Sequence, residues 1–271
     1  MTKKISVALV GAGSMGGALL RGWTRQGVID AAASAIFDPA PPAAIMDVAT
    51  AHGIAVNPQP PATRFDALVI AVKPQIAATA LPRFAGLAAG ASTVSVMAGK
   101  SLAAISAALP GATKIMRAMP NLPAAVGAGA TAIYAPQGIA AADRALAETL
   151  MRAVGEVIFV ESEEAIDAVT AVSGSGPAYF FLLAEALAEA GKAVGLDDDA
   201  ARKLARATLI GAGAYAAADS RSLTEMRRAV TSPGGTTDAA LKILDGDDGA
   251  LRQLLAKAVS AAKRRAGELT D

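Results

Sequence analysis

The sequence predicts an α/β protein, an N-terminal Rossmann-type doubly wound sheet followed by a C-terminal all-α dimerisation domain. Three observations predict it. In the first part of the chain, short apolar runs alternate with helical patterns, which is how βαβ units feed a mostly parallel sheet. The first run, ISVALV, leads at once into the glycine turn GAGSMG and a helix. After the acidic patch ESEEAID at 161–167 the strand-like runs stop, and helical patterns continue to the C-terminus. The expected division is therefore 1–160 for the sheet domain, which carries the glycine turn, and 161–271 for the helical domain.

Strands are expected at 5–10, 35–38, 67–72, 93–97, 114–119, 131–134 and 157–160. VALV and LVIAV are apolar throughout, as strands covered on both faces are. Alanine-rich helical segments such as 17–26, 41–52 and 102–109 are expected between several of these strands. In the second half Pro177 suits the first turn of a helix, with Gly195 as its stop. Asp197–Asp199 open the next helix. The last helix carries Leu251, Leu254, Leu255, Ala258, Val259 and Ala262 on one face. These alanine-rich helices present little surface for a core, so a second copy related by a two-fold axis is the expected partner.

Composition removes several function classes. Lys plus Arg number 25 and Asp plus Glu 24, so no basic field points to nucleic acid or anionic lipid. There is no cysteine and a single histidine, His52, which leaves no thiol nucleophile, disulfide or cysteine-histidine metal site. His52 reads as the polar end of a helix. The uncharged stretch 118–142 is broken by Pro120, Pro123, Pro136 and several glycines, so strands and turns account for it better than a membrane span. No targeting segment is recognisable. A soluble, cytoplasmic protein without a membrane or nucleic-acid partner is expected.

The glycines follow the pattern Gly11-x-Gly13-x-x-Gly16. A strand before it and a helix after it are the context in which this pattern binds a dinucleotide. Gly11 allows the tight turn, Gly13 lets the backbone reach a pyrophosphate, and Gly16 lets the helix pack on the strand. Ser14 and Met15 lie between them at the helix start. Asp38 ends the second strand about 20 residues further on, where a carboxylate accepts hydrogen bonds from the adenosine ribose of NADH. It would repel the 2′-phosphate of NADPH. Taken alone, Asp38 is equally a cap for the following helix. Ala71, Val72, Lys73 and Pro74 of AVKPQ, Asn57, and Met97 and Ala98 of VMAG all fall at carboxyl ends of strands, the ligand-binding edge of such sheets. Each can line a cofactor or simply pack.

The turn Ser232-Pro233-Gly234-Gly235 runs into Thr236-Thr237 and a helix. The first N–H groups of a helix have no partner within it and favour an anion. An ordinary turn and N-cap is the plainer reading of these residues by themselves.

VALVGAGSMG, AVKPQ, VMAG, IMRAMPNLPA, AVSGSGPAYFF and TSPGGTTDAALKIL occur in order along nearly the whole chain. Together they resemble pyrroline-5-carboxylate reductase, and SGSGPAY and SPGGTT are far more specific than the Rossmann glycines. The resemblance implies reduction of the cyclic imine Δ1-pyrroline-5-carboxylate to L-proline by NADH or NADPH. It also implies a homodimer interlocked through the helical domain and, in many members, a ring of dimers. It places the substrate carboxylate on Ser232 and the N–H groups near Gly235, Thr236 and Thr237, and the imine nitrogen on the Thr237 hydroxyl. SGSGPAY is expected as the turn into the helical domain, and Asn121 as a cofactor neighbour or a turn residue. Asp38 departs from the small polar or basic residues common there, which tilts the cofactor toward NADH. MRRAV, ahead of SPGG, also departs from the family, so no substrate contact is carried over there. The rival is another imine or β-hydroxyacid reductase on the same plan. Such dehydrogenases use a lysine on the central helix, and here only Lys192, at its far end, is near. A nucleotide sensor without activity would have no need of SPGGTT.

Overall fold

A computed structural model describes residues 3–59, 64–246 and 248–269. The described chain forms two compact units, Met1–Ser175 with Ala262–Asp271, and Gly176–Ala261. The composition changes at 160 and 161, whereas the packing divides later, after Ser175.

In the first unit the elements run β1 (Val7–Val10), α1 (Ser14–Gln26), β2 (Ala35–Phe37), α2 (Ala43–His52), β3 (Ala55–Val56) and β4 (Ala67–Ile70). Short helices α3 (Ala77–Ala80) and α4 (Ala85–Ala88) precede β5 (Ser92–Ser95), α5 (Leu102–Ala108) and β6 (Ile115–Met119). Then come β7 (Gly129–Tyr134), α6 (Ala141–Arg152), β8 (Gly155–Val160) and α7 (Ala165–Val169). The sheet order is β3-β2-β1-β4-β5-β6-β7-β8. Strands β1 to β6 are mutually parallel, β7 turns antiparallel to β6, and β8 follows β7 in parallel. Because β1 lies between β2 and β4, the winding reverses there, and the crevice beyond its carboxyl end is where such sheets take ligands.

β1 and β4 are buried along their whole length, as their unbroken apolar sequences require. One face carries Leu19, Leu20 and Trp23 from α1 and Leu150 and Met151 from α6. The other carries Leu81, Phe84, Ile105 and Leu109. Each such side chain contributes roughly 1.5–3 kcal/mol on burial. The indole N–H of buried Trp23 donates to the Leu150 carbonyl at 2.8 Å, which satisfies its one polar atom. The amino-terminal edge is tied by Asp66, which accepts from the Ser6 N–H and hydroxyl at 2.9 Å each.

Among the departures from the expected elements, two shape the neighbourhood of the site. The two-residue β3 extends the sheet past β2 and is too short for alternation to register. SGSGPAY forms no turn: a π-helical turn at Thr170–Gly174 joins α7 to the following helix. Pro177 has no N–H to donate to the Ser173 carbonyl four residues back. The Asn121 side-chain amide donates to that carbonyl instead, at 3.0 Å, while its oxygen accepts from the Ala130 N–H at 2.9 Å.

The second unit comprises α8 (Gly176–Ala193), α9 (Asp198–Ala218), α10 (Leu223–Ala229), α11 (Thr236–Asp245) and most of α12 (Ala250–Glu268). Its buried apolar cluster is Ala188, Ala201 and Ala205. Large apolar side chains lie open instead, with Phe180 60%, Phe181 58%, Ile210 61% and Ile243 81% exposed. Local polar contacts define its helices. Asp197 caps α9 through the Ala200 N–H, and Ser222 with Glu225 forms a capping box on α10. Asp245 takes Arg227 at 2.9 Å and Arg252 at 2.6 Å, joining α10 and α12 to the end of α11.

Candidate functional site: a nucleotide crevice and an anion-binding turn

The glycine loop has the geometry that its sequence anticipates. Gly11 has φ +92°, and a Cβ there would stand 2.6 Å from the Ala71 carbonyl oxygen, so the β1 and β4 loops pack backbone to backbone. A Cβ on Gly16 would meet the Gly11 carbonyl oxygen at 2.1 Å. Gly13 is different, for a Cβ there would meet nothing within 4 Å. Protein packing does not require a glycine at 13, whereas close approach of a phosphate does. Gly13 also caps α1 without a side-chain bond, and Gly17 is the first N–H to reach back, to the Gly13 carbonyl at 2.8 Å. The N–H groups of Ser14, Met15 and Gly16 therefore face outward at a helix N-terminus, which fits a pyrophosphate.

Asp38 does not cap α2, whose N-cap is Pro42. Its carboxylate accepts from the Ala12 N–H at 2.7 Å and the Ala40 N–H at 2.9 Å, so it braces the glycine loop from the β2 side. Ionised carboxylates accept about four hydrogen bonds, which leaves capacity for ribose hydroxyls. Asn57, with φ +48°, accepts from the Asp38 N–H at 3.0 Å and donates to the Asp38 carbonyl at 2.7 Å. Its side chain thus fixes Asp38. Ala71, Val72, exposed Lys73 and Pro74 follow β4 on the same edge. At the end of β5, Ala98 is exposed, while Met97 is 4% exposed and belongs to the core. Only its backbone can face a ligand.

Sequence reading missed one wall of this edge. A cavity of about 910 Å³ opens beside Phe37, Pro39 and Asn57 and is also lined by Arg64, Arg83 and Phe84. The Arg83 guanidinium stacks over the Phe84 ring at 4.7 Å, and Phe84 meets Phe37 edge-on at 5.2 Å. No periodicity signals that a residue after β4 returns to the end of β2. Further along the edge, Glu163 accepts from the Leu102 N–H at 2.7 Å and from nearly buried Arg117 at 2.9 Å. This contact holds the start of α5 and so the loop that carries Ala98.

In the second unit, Ser232, Gly235, Thr236 and Thr237 gather at the N-terminus of α11. The Gly235 N–H closes a turn on the Ser232 carbonyl at 3.0 Å, and Ala239 is the first N–H to reach back, to the Gly235 carbonyl. Among the described residues the N–H groups of Thr236, Thr237 and Asp238 have no acceptor. Gly235 therefore shapes the turn, and the three following N–H groups are the ones free to take an anion.

Residues 163–269 match the family model for pyrroline-5-carboxylate reductase dimerisation, and residues 6–99 match that for NADP oxidoreductase, coenzyme F420-dependent. The chain is 36% identical to the pyrroline-5-carboxylate reductase of Pseudomonas aeruginosa over 98% of its length and 97% of the relative's. The chain belongs to the pyrroline-5-carboxylate reductase family. The Coxiella burnetii reductase structure superposes with a TM-score of 0.90 at 34% identity, covering 99% of this chain and all of that one. The Plasmodium falciparum enzyme, solved with NADP bound, shares the fold at a TM-score of 0.78 and 23% identity, covering 98% of each chain. Both glycine-rich segments stand at helix starts, that of α1 and that of α11.

Proposed function

We propose that the chain reduces Δ1-pyrroline-5-carboxylate to L-proline with a nicotinamide nucleotide, as its curated relatives are named for. The observation that carries this reading is the family match along both units, together with unpaired N–H groups at the SPGGTT turn. A bound nicotinamide supplies a hydride. The N–H groups of Ser14, Met15 and Gly16 hold the pyrophosphate. Those of Thr236, Thr237 and Asp238, with the Ser232 hydroxyl, hold the substrate carboxylate. The imine carbon takes the hydride, the nitrogen takes or already bears a proton, and the C=N bond becomes a secondary amine. A cyclic imine is basic enough to arrive partly protonated. Thr237 then orients the nitrogen by hydrogen bonding, and alignment accounts for most of the rate.

Asp38 favours NADH by accepting the ribose hydroxyls. Arg64 and Arg83, which line the adjoining cavity, support NADPH as the second reading. A homodimer covers the open apolar side chains of the second unit. The stretch Ala165–Ala193 is long and apolar enough by composition to cross a membrane. Its place in a dimerisation domain supports a partner protomer as its cover instead. The test is initial-rate oxidation of NADH and NADPH in parallel with pyrroline-5-carboxylate, for the parent and for Thr237→Ala. Turnover by the parent and a loss of about a hundredfold in the variant are expected. A parent without turnover on either nucleotide sinks the reading, and near-parental turnover in the variant removes Thr237 from the mechanism.

A further inference from the structure

The SPGG turn is fastened at a second point, on the helix that follows it. Pro233 and Gly234 occupy its central positions, and Gly234 has φ +72°, the backbone of a type II turn. The N–H of Gly234 donates to the Asp238 carboxylate at 3.1 Å. The same carboxylate oxygen lies 2.9 Å from the Lys242 ammonium, one helical turn further on. Both contacts hold the Asp238 carboxyl below the usual carboxylate range, the lysine more than the backbone N–H. An acid in the first turn of a helix ordinarily just complements its dipole. This one reaches back across the turn and ties down the loop that presents Ser232.

The position also poses an electrostatic difficulty. A carboxylate substrate bound at the α11 N-terminus meets a fixed negative charge on the same helical turn, and like charges at short range repel. Lys242 lies on that charge. We infer that Asp238 is a positioning residue for the substrate carboxylate and that Lys242 neutralises it, so that a second carboxylate binds beside it. This rests on the substrate reading given above for the α11 turn. Asp238 supplies the geometry and Lys242 removes its electrostatic cost.

The test is steady-state kinetics on the full-length protein, with separate KM values for pyrroline-5-carboxylate and for the nucleotide, and calorimetric binding of L-proline. Asp238→Ala is expected to raise the imine KM and the proline Kd by about tenfold, with the nucleotide KM unmoved. Asp238→Asn keeps an acceptor for the Gly234 N–H and recovers most of that loss. Lys242→Met leaves the carboxylate bare and raises the imine KM by roughly fivefold. Adding Asp238→Asn to Lys242→Met reverses the rise. A parental imine KM in Asp238→Ala overturns the inference. So does a double variant no better than Lys242→Met alone, or a loss that falls equally on imine and nucleotide. Thr237→Ala serves as the control. If it is inactive while the Asp238 variants are parental, only this inference fails. A parent that does not reduce the imine takes both readings down.

Discussion

The two units solve the problem of stability in opposite ways. The first encloses leucine, isoleucine, tryptophan and phenylalanine side chains on both faces of a sheet. The second, among its described residues, encloses a cluster of alanines with Met226 apart from it, and leaves its phenylalanines open. Alanine burial removes little apolar surface from water, so conformational entropy is not offset by such a cluster. Helix caps and the Asp245 ion cluster define where the second unit's helices begin and meet, but solvent-exposed contacts of that kind contribute little stability. One unit encloses its core within a single chain, whereas the other leaves its large apolar side chains uncovered.

The sharpest way to break this comparison is Phe181→Asp on α8. A carboxylate in a covered apolar face weakens association by on the order of a thousandfold. Light scattering is expected to report monomers, with a loss of helical circular dichroism that leaves the sheet signal in place. A dimer of parental mass and helicity would mean that this face is not the one covered.

Glu163→Ala tests the first unit. It strands the Arg117 guanidinium, whose side chain is 3% exposed, and a buried charge without its partner costs about 3–5 kcal/mol. Urea unfolding is expected to move by that amount, with the dimer intact. A shift below about 1 kcal/mol would show the pair to be solvated in practice.

The smallest effect belongs to Asp245→Asn. The Asp245 carboxyl is held below its ordinary value of 3.8, first by Arg252 and then by Arg227. A depressed folded-state pKa gives stability that is present above the unfolded value and lost as pH falls through the folded one. The variant is therefore expected to melt below the parent near neutrality, and the difference is expected to close below pH 3.8. A gap that persists in acid would assign the effect to packing.

Much of this architecture was legible in the sequence because it depends on local pattern. Unbroken apolar runs gave the buried strands, and the context of Gly11, Gly13 and Gly16 gave the crevice. The SPGGTT stretch marked a helix start with unpaired N–H groups, as observed. What escaped depended on long-range partners. Glu163 lies in the acidic patch 161–167, yet its carboxylate reaches back to Arg117 and to the Leu102 N–H. Asn121 read as a turn residue or cofactor neighbour, yet it replaces the hydrogen bond that Pro177 cannot make. Met97 read as a strand-end residue that lines a cofactor or simply packs, and two residues past β5 its side chain sits in the core. The Ser222–Glu225 capping box was visible as Ser-Leu-Thr-Glu and could have located α10.

The last residues of α12 belong to the first unit, and the tail packs there closely enough that a Cβ on Gly99 would stand 2.8 Å from the Leu269 carbonyl oxygen. The helical unit is thus an insertion tethered at both ends, rather than an appendage. A single proteolytic cut within it cannot release it, because each fragment stays anchored to the sheet domain. Any exchange of that unit between protomers must carry two chain crossings together, so partner swapping requires both tethers to yield in one event.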